Sequence, residues 1–192
     1  MKEDQVRWDK RYAEKEYAQD PNPLLVEYYS LANKGKALDI AAGNGRNSLF
    51  LQNQGFEVEA IDISEVALEL IKQKHPKINT QHVDLDRHRL KEKQYDIIVN
   101  CNYLNRGIFA DIRDALKPKG ILFFRTFVEG DQGRNPETPY RKEFYLQRNE
   151  LLHSFLSLDI HLYQEEYFTQ DDGKARAIAT LVAQKKSLGK IY

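Results

Sequence analysis

Cysteine is almost missing from this chain: Cys101 is the one example in 192 residues. A lone thiol cannot close an intramolecular disulfide, so packing must hold the fold, and the composition fits a reducing cytoplasm. An excess of either charge is missing too, since Lys plus Arg and Asp plus Glu both number 29. A protein that lives on a nucleic acid backbone needs a basic surplus, so no nucleic acid partner is expected beyond what a local patch would serve. No apolar run approaches the roughly 20 residues that span a bilayer, so no membrane partner is expected either. The opening MKEDQVRWDKRYAEKEY is charged and lacks the apolar centre of a signal peptide. The five histidines, His75, His82, His88, His153 and His161, show no zinc-type spacing, and no metal is assigned. Internal repeats and low-complexity tracts are absent.

What is present is an alternation of strand and helix signals. Residues 1–20 read as a charged amphipathic helix carrying Val6, Trp8, Tyr12 and Tyr17, ended by Pro21 and Pro23. A second short helix follows from Leu24 to Leu31. Strands are expected at about 36–41, 56–62, 79–85, 95–101 and 120–127, with helices at about 46–54, 65–74 and 107–116 between them. Ser64 caps the helix at 65–74, and Glu65 sits in its first turn. The 95–101 strand, YDIIVNC, is apolar on both faces, as a central parallel strand should be. Residues 129–143 form a long polar loop, a length that usually marks function. After a helix at about 147–156, strands at 159–168 and 175–185 follow without a helix between them, and Asp171-Asp172-Gly173 turns them into a hairpin. The fold expected is α/β: a Rossmann-like, doubly wound, seven-stranded, mostly parallel sheet with a terminal antiparallel hairpin.

The most informative stretch is KALDIAAGNGRNSLFL, Lys36 to Leu51. It reads as a buried strand, a tight Gly43-Asn44-Gly45 turn and a helix start near Arg46. Gly43 and Gly45 permit positive φ and close backbone approach to a ligand. The first turn of the helix offers free N–H groups and a positive dipole end to an anion. This is the nucleotide-binding end of a doubly wound domain. A dinucleotide turn wants G-x-G-x-x-G, and here Ser48 takes the third glycine position; the phosphate loop G-x-x-x-x-G-K-[ST] is absent. A nicotinamide-dependent oxidoreductase is therefore the weaker reading.

The order D-x-A-x-G-x-G, from Asp39 to Gly45, instead resembles the first motif of class I S-adenosylmethionine-dependent methyltransferases, with Ala41 in a glycine position. GNGRNSLFL, WDKRY at 8–12, and the tail from RNPETPY through NELL to YQEE look like the tellurite-resistance TehB-like branch of that family. The resemblance implies S-adenosylmethionine as cofactor. It places Asp62, in AIDIS before Ile63, on the ribose hydroxyls, Asp84 at the adenine amino group with Leu85 near the ring, and the backbone of Asn100 and Cys101 by the methionine part. It makes Trp8, Arg11 and Tyr12 a lid, and pairs Arg11 or Arg46 with the methionine carboxylate. Other roles stay open at several of these positions. Asp39 either holds the glycine turn or touches ligand. Trp8 either packs the first helix down or covers cofactor. Arg46 and Asn47 either start a helix or meet ligand. Tyr140, Arg134 and Tyr145 are either substrate contacts or solvated loop residues.

The resemblance implies one methyltransferase domain over 1–192: a helical lid over 1–34, a cofactor-binding core over 36–127, and a substrate loop with the hairpin over 128–192. The function expected is a cytoplasmic methyltransferase acting on a small molecule, with a non-catalytic cofactor-binding module as the alternative. Cytosine-C5 enzymes carry a Pro-Cys pair, whereas Asn100 precedes Cys101, which reads as a buried thiol. No convincing base stands near the site, although Tyr103, Tyr140 or Tyr145 would serve. This tilts the acceptor toward a soft chalcogen or thiol, which needs little proton removal.

Overall fold

The computed structural model describes residues 2–130, 142–169 and 173–187. In chain order its elements are α1 (Lys2–Glu14), α2 (Pro23–Tyr28), β1 (Lys36–Ile40), α3 (Arg46–Asn53), β2 (Glu57–Asp62), α4 (Glu65–Lys74), β3 (Asn79–His82), β4 (Tyr95–Cys101), α5 (Phe109–Ala115), β5 (Leu116–Phe127), α6 (Glu150–Ser154), β6 (Asp159–Thr169) and β7 (Ala175–Gln184). The seven strands form one sheet in the order β3-β2-β1-β4-β5-β7-β6. Pairings are parallel from β3 through β5. β7 runs antiparallel to both β5 and β6, so among the described strands it is the reversed one.

The sheet is covered on both faces. Leu25 of α2, Leu51 of α3, and Leu68 and Ile71 of α4 pack with Ala37, Val58, Ile97, Phe123 and Val182 on one side. Phe109 and Ile112 of α5 and Leu151 of α6 pack with Leu38, Ile98, Leu122 and Leu181 on the other. Alternate residues of each strand therefore face opposite cores, which is why these strands read as near-continuous apolar runs. The strand order reverses between β1 and β4. In open α/β sheets that switch point, at the carboxyl ends of the strands, is where ligands bind.

Several boundaries differ from expectation, each for a local reason. The first helix stops at Glu14 rather than near residue 20. Beyond it the backbone crosses the glycine turn, where the carbonyls of Ala18 and Asp20 accept side-chain hydrogen bonds instead of helical ones. β3 ends at His82, because Asp84 turns the chain by accepting from the Asp86 amide. β5 begins at Leu116 rather than 120, since Leu116 pairs with Tyr95 ahead of a bulge. α6 is shorter than expected: Asn149, at φ 59°, starts it late. The hairpin residues Asp171 and Asp172, and Arg134 and Tyr140 in the long loop, lie outside the described residues.

Candidate functional site

The turn after β1 is left-handed at three of five positions: Ala41 at φ 51°, Gly43 at φ 57° and Gly45 at φ 77°. Its backbone is pinned to the neighbouring strand. The Ala42 amide donates to the Ile61 carbonyl at 3.1 Å, and the Gly43 amide donates to Asp62 Oδ2 at 2.8 Å. The two glycines serve different ends. A Cβ on Gly45 would lie 2.5 Å from Ile71 Cγ1, so its bareness lets α4 pack against the turn. A Cβ on Gly43 would lie 2.5 Å from the Tyr12 hydroxyl, so its bareness lets Tyr12 close on the outward face of the turn.

Two buried carboxylates flank the turn. Asp39, inside β1, accepts from the Ser48 hydroxyl at 2.6 Å. Gly45 heads α3 with no capping side chain, and Asp39 reaches across to hold that first turn instead. Burial, opposed by the Ser48 hydrogen bond, pushes the Asp39 carboxyl up to about 7. Asp62 ends β2. Its Oδ2 takes the Gly43 amide and its Oδ1 takes the Ser64 amide at 2.8 Å. Burial raises its pKa, while those amides pull it back down.

The N-terminal segment lies directly over this site. Trp8 and Tyr12 stand 5.9 Å apart, Tyr12 and Tyr17 stand 4.7 Å apart, and the Arg11 guanidinium sits 4.8 Å over the Trp8 ring. Asp9 docks α1 on the start of α4: its Oδ1 accepts from the Ser64 hydroxyl at 2.7 Å and the Val66 amide at 3.2 Å. Ser64 in turn accepts from the Ala67 amide, as expected of its cap position. The connection to α2 is strapped to the glycine turn at three points. Asn44 Nδ2 donates to the Ala18 carbonyl, Arg46 Nη1 donates to the Asp20 carbonyl, and the Asn22 amide donates to Asn47 Oδ1. Arg46 and Asn47 thus bond protein backbone here, as a helix-start pair would.

On the far side of the switch point, Asn100 is fully buried at the end of β4. Its Nδ2 donates to the Tyr103 carbonyl, and its Oδ1 has no partner. Burial, reinforced by the Asp39 carboxylate, pushes the Cys101 thiol up to about 12. The Tyr103 hydroxyl is also pushed up to about 12 by burial, with Asp86, Asp84 and Asp62 adding to the rise. Asn105 Nδ2 links the Tyr103 hydroxyl to Asp86 Oδ1. Asp84 is half-buried, Leu85 belongs to the core, and the Ile63 carbonyl meets His82 Nε2 at 2.9 Å. Tyr145 is buried, away from the role of a solvated loop residue.

Two open hollows, of about 410 Å³ beside Arg106 and Glu150 and about 400 Å³ beside Lys72 and Pro76, share no residue with the glycine turn. The converging carboxylates, glycine turn and unpaired acceptor mark the switch point as the chemically organised site. Among the described residues no group of His, Cys, Asp and Glu is arranged to hold a metal ion, and no helix is long and apolar enough to cross a membrane. Sequence reasoning missed Asp9, Asn44 and Asn105. Asp9 and Ser64 are 55 positions apart, so no local pattern announces their pairing.

Residues 37–120 match the model of a methyltransferase domain. YqeM of Bacillus subtilis (strain 168), described as a methyltransferase, is 37% identical over 108 residues, covering 50% of this chain and 43% of that protein. TehB of Haemophilus influenzae, described as an S-adenosyl-L-methionine-dependent methyltransferase, is 24% identical over 176 residues, covering 84% of this chain and 61% of TehB. The chain therefore spans about half the length of the curated relatives it matches. The crystal structure of Haemophilus influenzae TehB superimposes with a TM-score of 0.76 at 22% identity, over 93% of this chain and 67% of that one. A methyltransferase structure from Methanosarcina mazei gives 0.69 at 20% identity, over 88% and 99%.

Proposed function

We propose that this chain is a class I S-adenosylmethionine-dependent methyltransferase that methylates a small-molecule acceptor of soft character, a thiol or another chalcogen; the match of residues 37–120 to a methyltransferase domain supports the reading. Asp62 carries the reading. It is a buried carboxylate at the end of β2, beside a left-handed glycine turn, and each oxygen takes one backbone N–H while keeping a lone pair. A carboxylate fixed in that way suits a pair of ribose hydroxyls.

The other residues present fit the same cofactor. Gly43 puts no side chain of its own on the face of the turn that Tyr12 now covers. Asn100 Oδ1 is a buried acceptor without a protein partner. We assign the adenine side to Asp84, Leu85 and Ile63, and the methionine side to Asn100, Cys101 and the start of α3 at Arg46 and Asn47. Asp39 shapes the turn together with Ala41 and Gly45. Trp8, Arg11 and Tyr12 cover the site, and Arg11 or Arg46 is the partner for the carboxylate.

Bound S-adenosylmethionine supplies an electrophilic methyl on a sulfonium. The residues of this chain then have to hold the reacting atoms in line and keep water out, which alone removes several kcal/mol or more of a barrier. The soft-acceptor reading rests on the state of the tyrosines and the thiol beside the site. Tyr103 and Cys101 both hold their protons to about pH 12, and Tyr145 is buried. A sulfur-type nucleophile needs little help of that kind. We read 1–192 as one domain, with 1–34 covering the site, 36–127 forming it and 128–192 facing the acceptor. The lone cysteine suits work in the cytoplasm.

The test is calorimetric titration with S-adenosylhomocysteine, with NAD as control, on wild type and Asp62→Asn. The expected outcome is binding on the order of micromolar, weakened about tenfold or more by the substitution, and no heat from NAD. Binding of NAD instead would turn the reading to an oxidoreductase. Product binding with no methyl transfer to thiols, selenite, tellurite, phenols or amines would leave a non-catalytic module.

A further inference from the structure

Resting on the cofactor reading above, we infer that the N-terminal segment is a plug: α1 and residues 15–22 occupy the cofactor seat, and the ligand must displace them to enter. A lid would add contacts to a bound ligand, whereas this segment takes the contacts the ligand needs.

The first observation is steric. The Tyr12 hydroxyl stands where a Gly43 side chain would begin, on the one face of the turn that the missing Cβ opens. A ligand cannot approach the Gly43 backbone while that hydroxyl is there. The second is the use of polar groups. Asn44 and Arg46 give donors, and Asn47 gives its acceptor, to the backbone of Ala18, Asp20 and Asn22. Two of those three residues are the ones assigned above to the methionine part.

The third observation is how weakly the segment is seated. No residue of α1 is buried. Its carboxylate latch, Asp9, is itself only half-buried and holds α1 through two hydrogen bonds, from the Ser64 hydroxyl and the Val66 amide. The Tyr17 hydroxyl is enclosed without a hydrogen-bond partner, so the packed arrangement leaves a polar group unsatisfied. Segments with few buried apolar contacts are those that open most readily. Asn22 and Pro23, at the capped start of α2, mark where the strap joins the core.

Displacement has a sign that separates a plug from a lid. If the open form is about a tenth of the population, removing the plug tightens apparent binding by about tenfold. Trp8 is the only tryptophan in the chain and lies within α1, so its fluorescence reports the segment directly. The experiment titrates S-adenosylhomocysteine into wild type, Tyr12→Ala and Asp9→Ala. It also measures acrylamide quenching of Trp8 with and without saturating ligand. Expected are about tenfold tighter binding by both variants and greater quenching of wild-type Trp8 at saturation. A variant that binds no more tightly, or a Trp8 that becomes less accessible, overturns the plug while leaving the cofactor reading intact. Failure of wild type and both variants to bind at any concentration overturns the cofactor reading, and the plug falls with it.

Discussion

The Ser48 hydroxyl donates to Asp39 Oδ2 at 2.6 Å, and neither residue is open to solvent. The strand before the turn and the helix after it are thereby joined through two side chains that never meet water. The arrangement has a consequence for pH. An unfolded aspartate ionises near 3.9, whereas burial holds Asp39 to about 7. Between those values the native state keeps a proton that the unfolded chain has released. Stability from this group is therefore greatest below about pH 4, falls as pH rises, and levels off above about 7. Against Asp39→Asn, which keeps an oxygen acceptor for Ser48, wild type should lose about 2–4 kcal/mol between pH 4 and pH 8. Urea denaturation of both proteins across that range measures it, and parallel curves would remove the effect.

Ala41 holds φ 51° in a position where a side chain is unwelcome. The left-handed conformation costs an L-residue about 1–2 kcal/mol. Ala41→Gly relieves that strain but loosens the unfolded chain by about 0.4–1 kcal/mol. A net change within about 1 kcal/mol is expected. Ala41→Val, with a β-branched side chain in the same conformation, should cost at least about 2 kcal/mol. Thermal unfolding of the pair decides it: a well-tolerated valine would mean that the turn does not need its left-handed shape.

Arg106 joins the end of the β4 connection to the segment that follows the long loop. It makes a two-pronged ion pair with Glu150 and donates to the carbonyls of Glu143 and Tyr145 at 2.9 and 2.8 Å. The Glu150 pair is partly exposed, which limits its own worth. The carbonyl contacts add geometry that a lysine cannot copy. Both Arg106→Ala and Arg106→Lys should lose about 1–2 kcal/mol by denaturant unfolding. Full rescue by lysine would show that charge alone holds the segment.

Cys101 should be inert in the native protein. Its thiol is pushed up to about 12 by burial, and only the thiolate reacts. Labelling with Ellman's reagent at pH 8 should run at least about a hundredfold slower in buffer than in denaturant. Comparable rates would place the sulfur in contact with solvent.

The fold was legible where one physical demand dominates. β4 spans 95–101 as expected, because a strand buried on both faces must be apolar throughout. α4 spans 65–74 as expected, because Ser64 caps it and Pro76 follows its end. Boundaries slipped where distant partners compete for the backbone, as at Glu14, where side chains from the glycine turn capture the carbonyls ahead. In the site, the left-handed turn was legible because few residues but glycine reach that conformation. The distinct duties of Gly43 and Gly45 were not. One faces Tyr12 and the other faces Ile71, and only the packed structure decides which. The link from Asp9 through Ser64 to Asp62 was equally hidden, being made of contacts between segments remote in sequence.

The reversed strand also sets a timetable for synthesis. β6 ends the sheet beside β7 alone, and β5 meets β7 on its free side, yet β7 is made after every other described strand. Until residues 175–184 leave the ribosome, β5 keeps a bare hydrogen-bonding edge and β6 has nothing to pair with. The nascent chain must hold that half-built sheet, with Phe123 and Phe124 inside it, out of contact with other chains. A chain cut short at residue 174 would lose two strands rather than one.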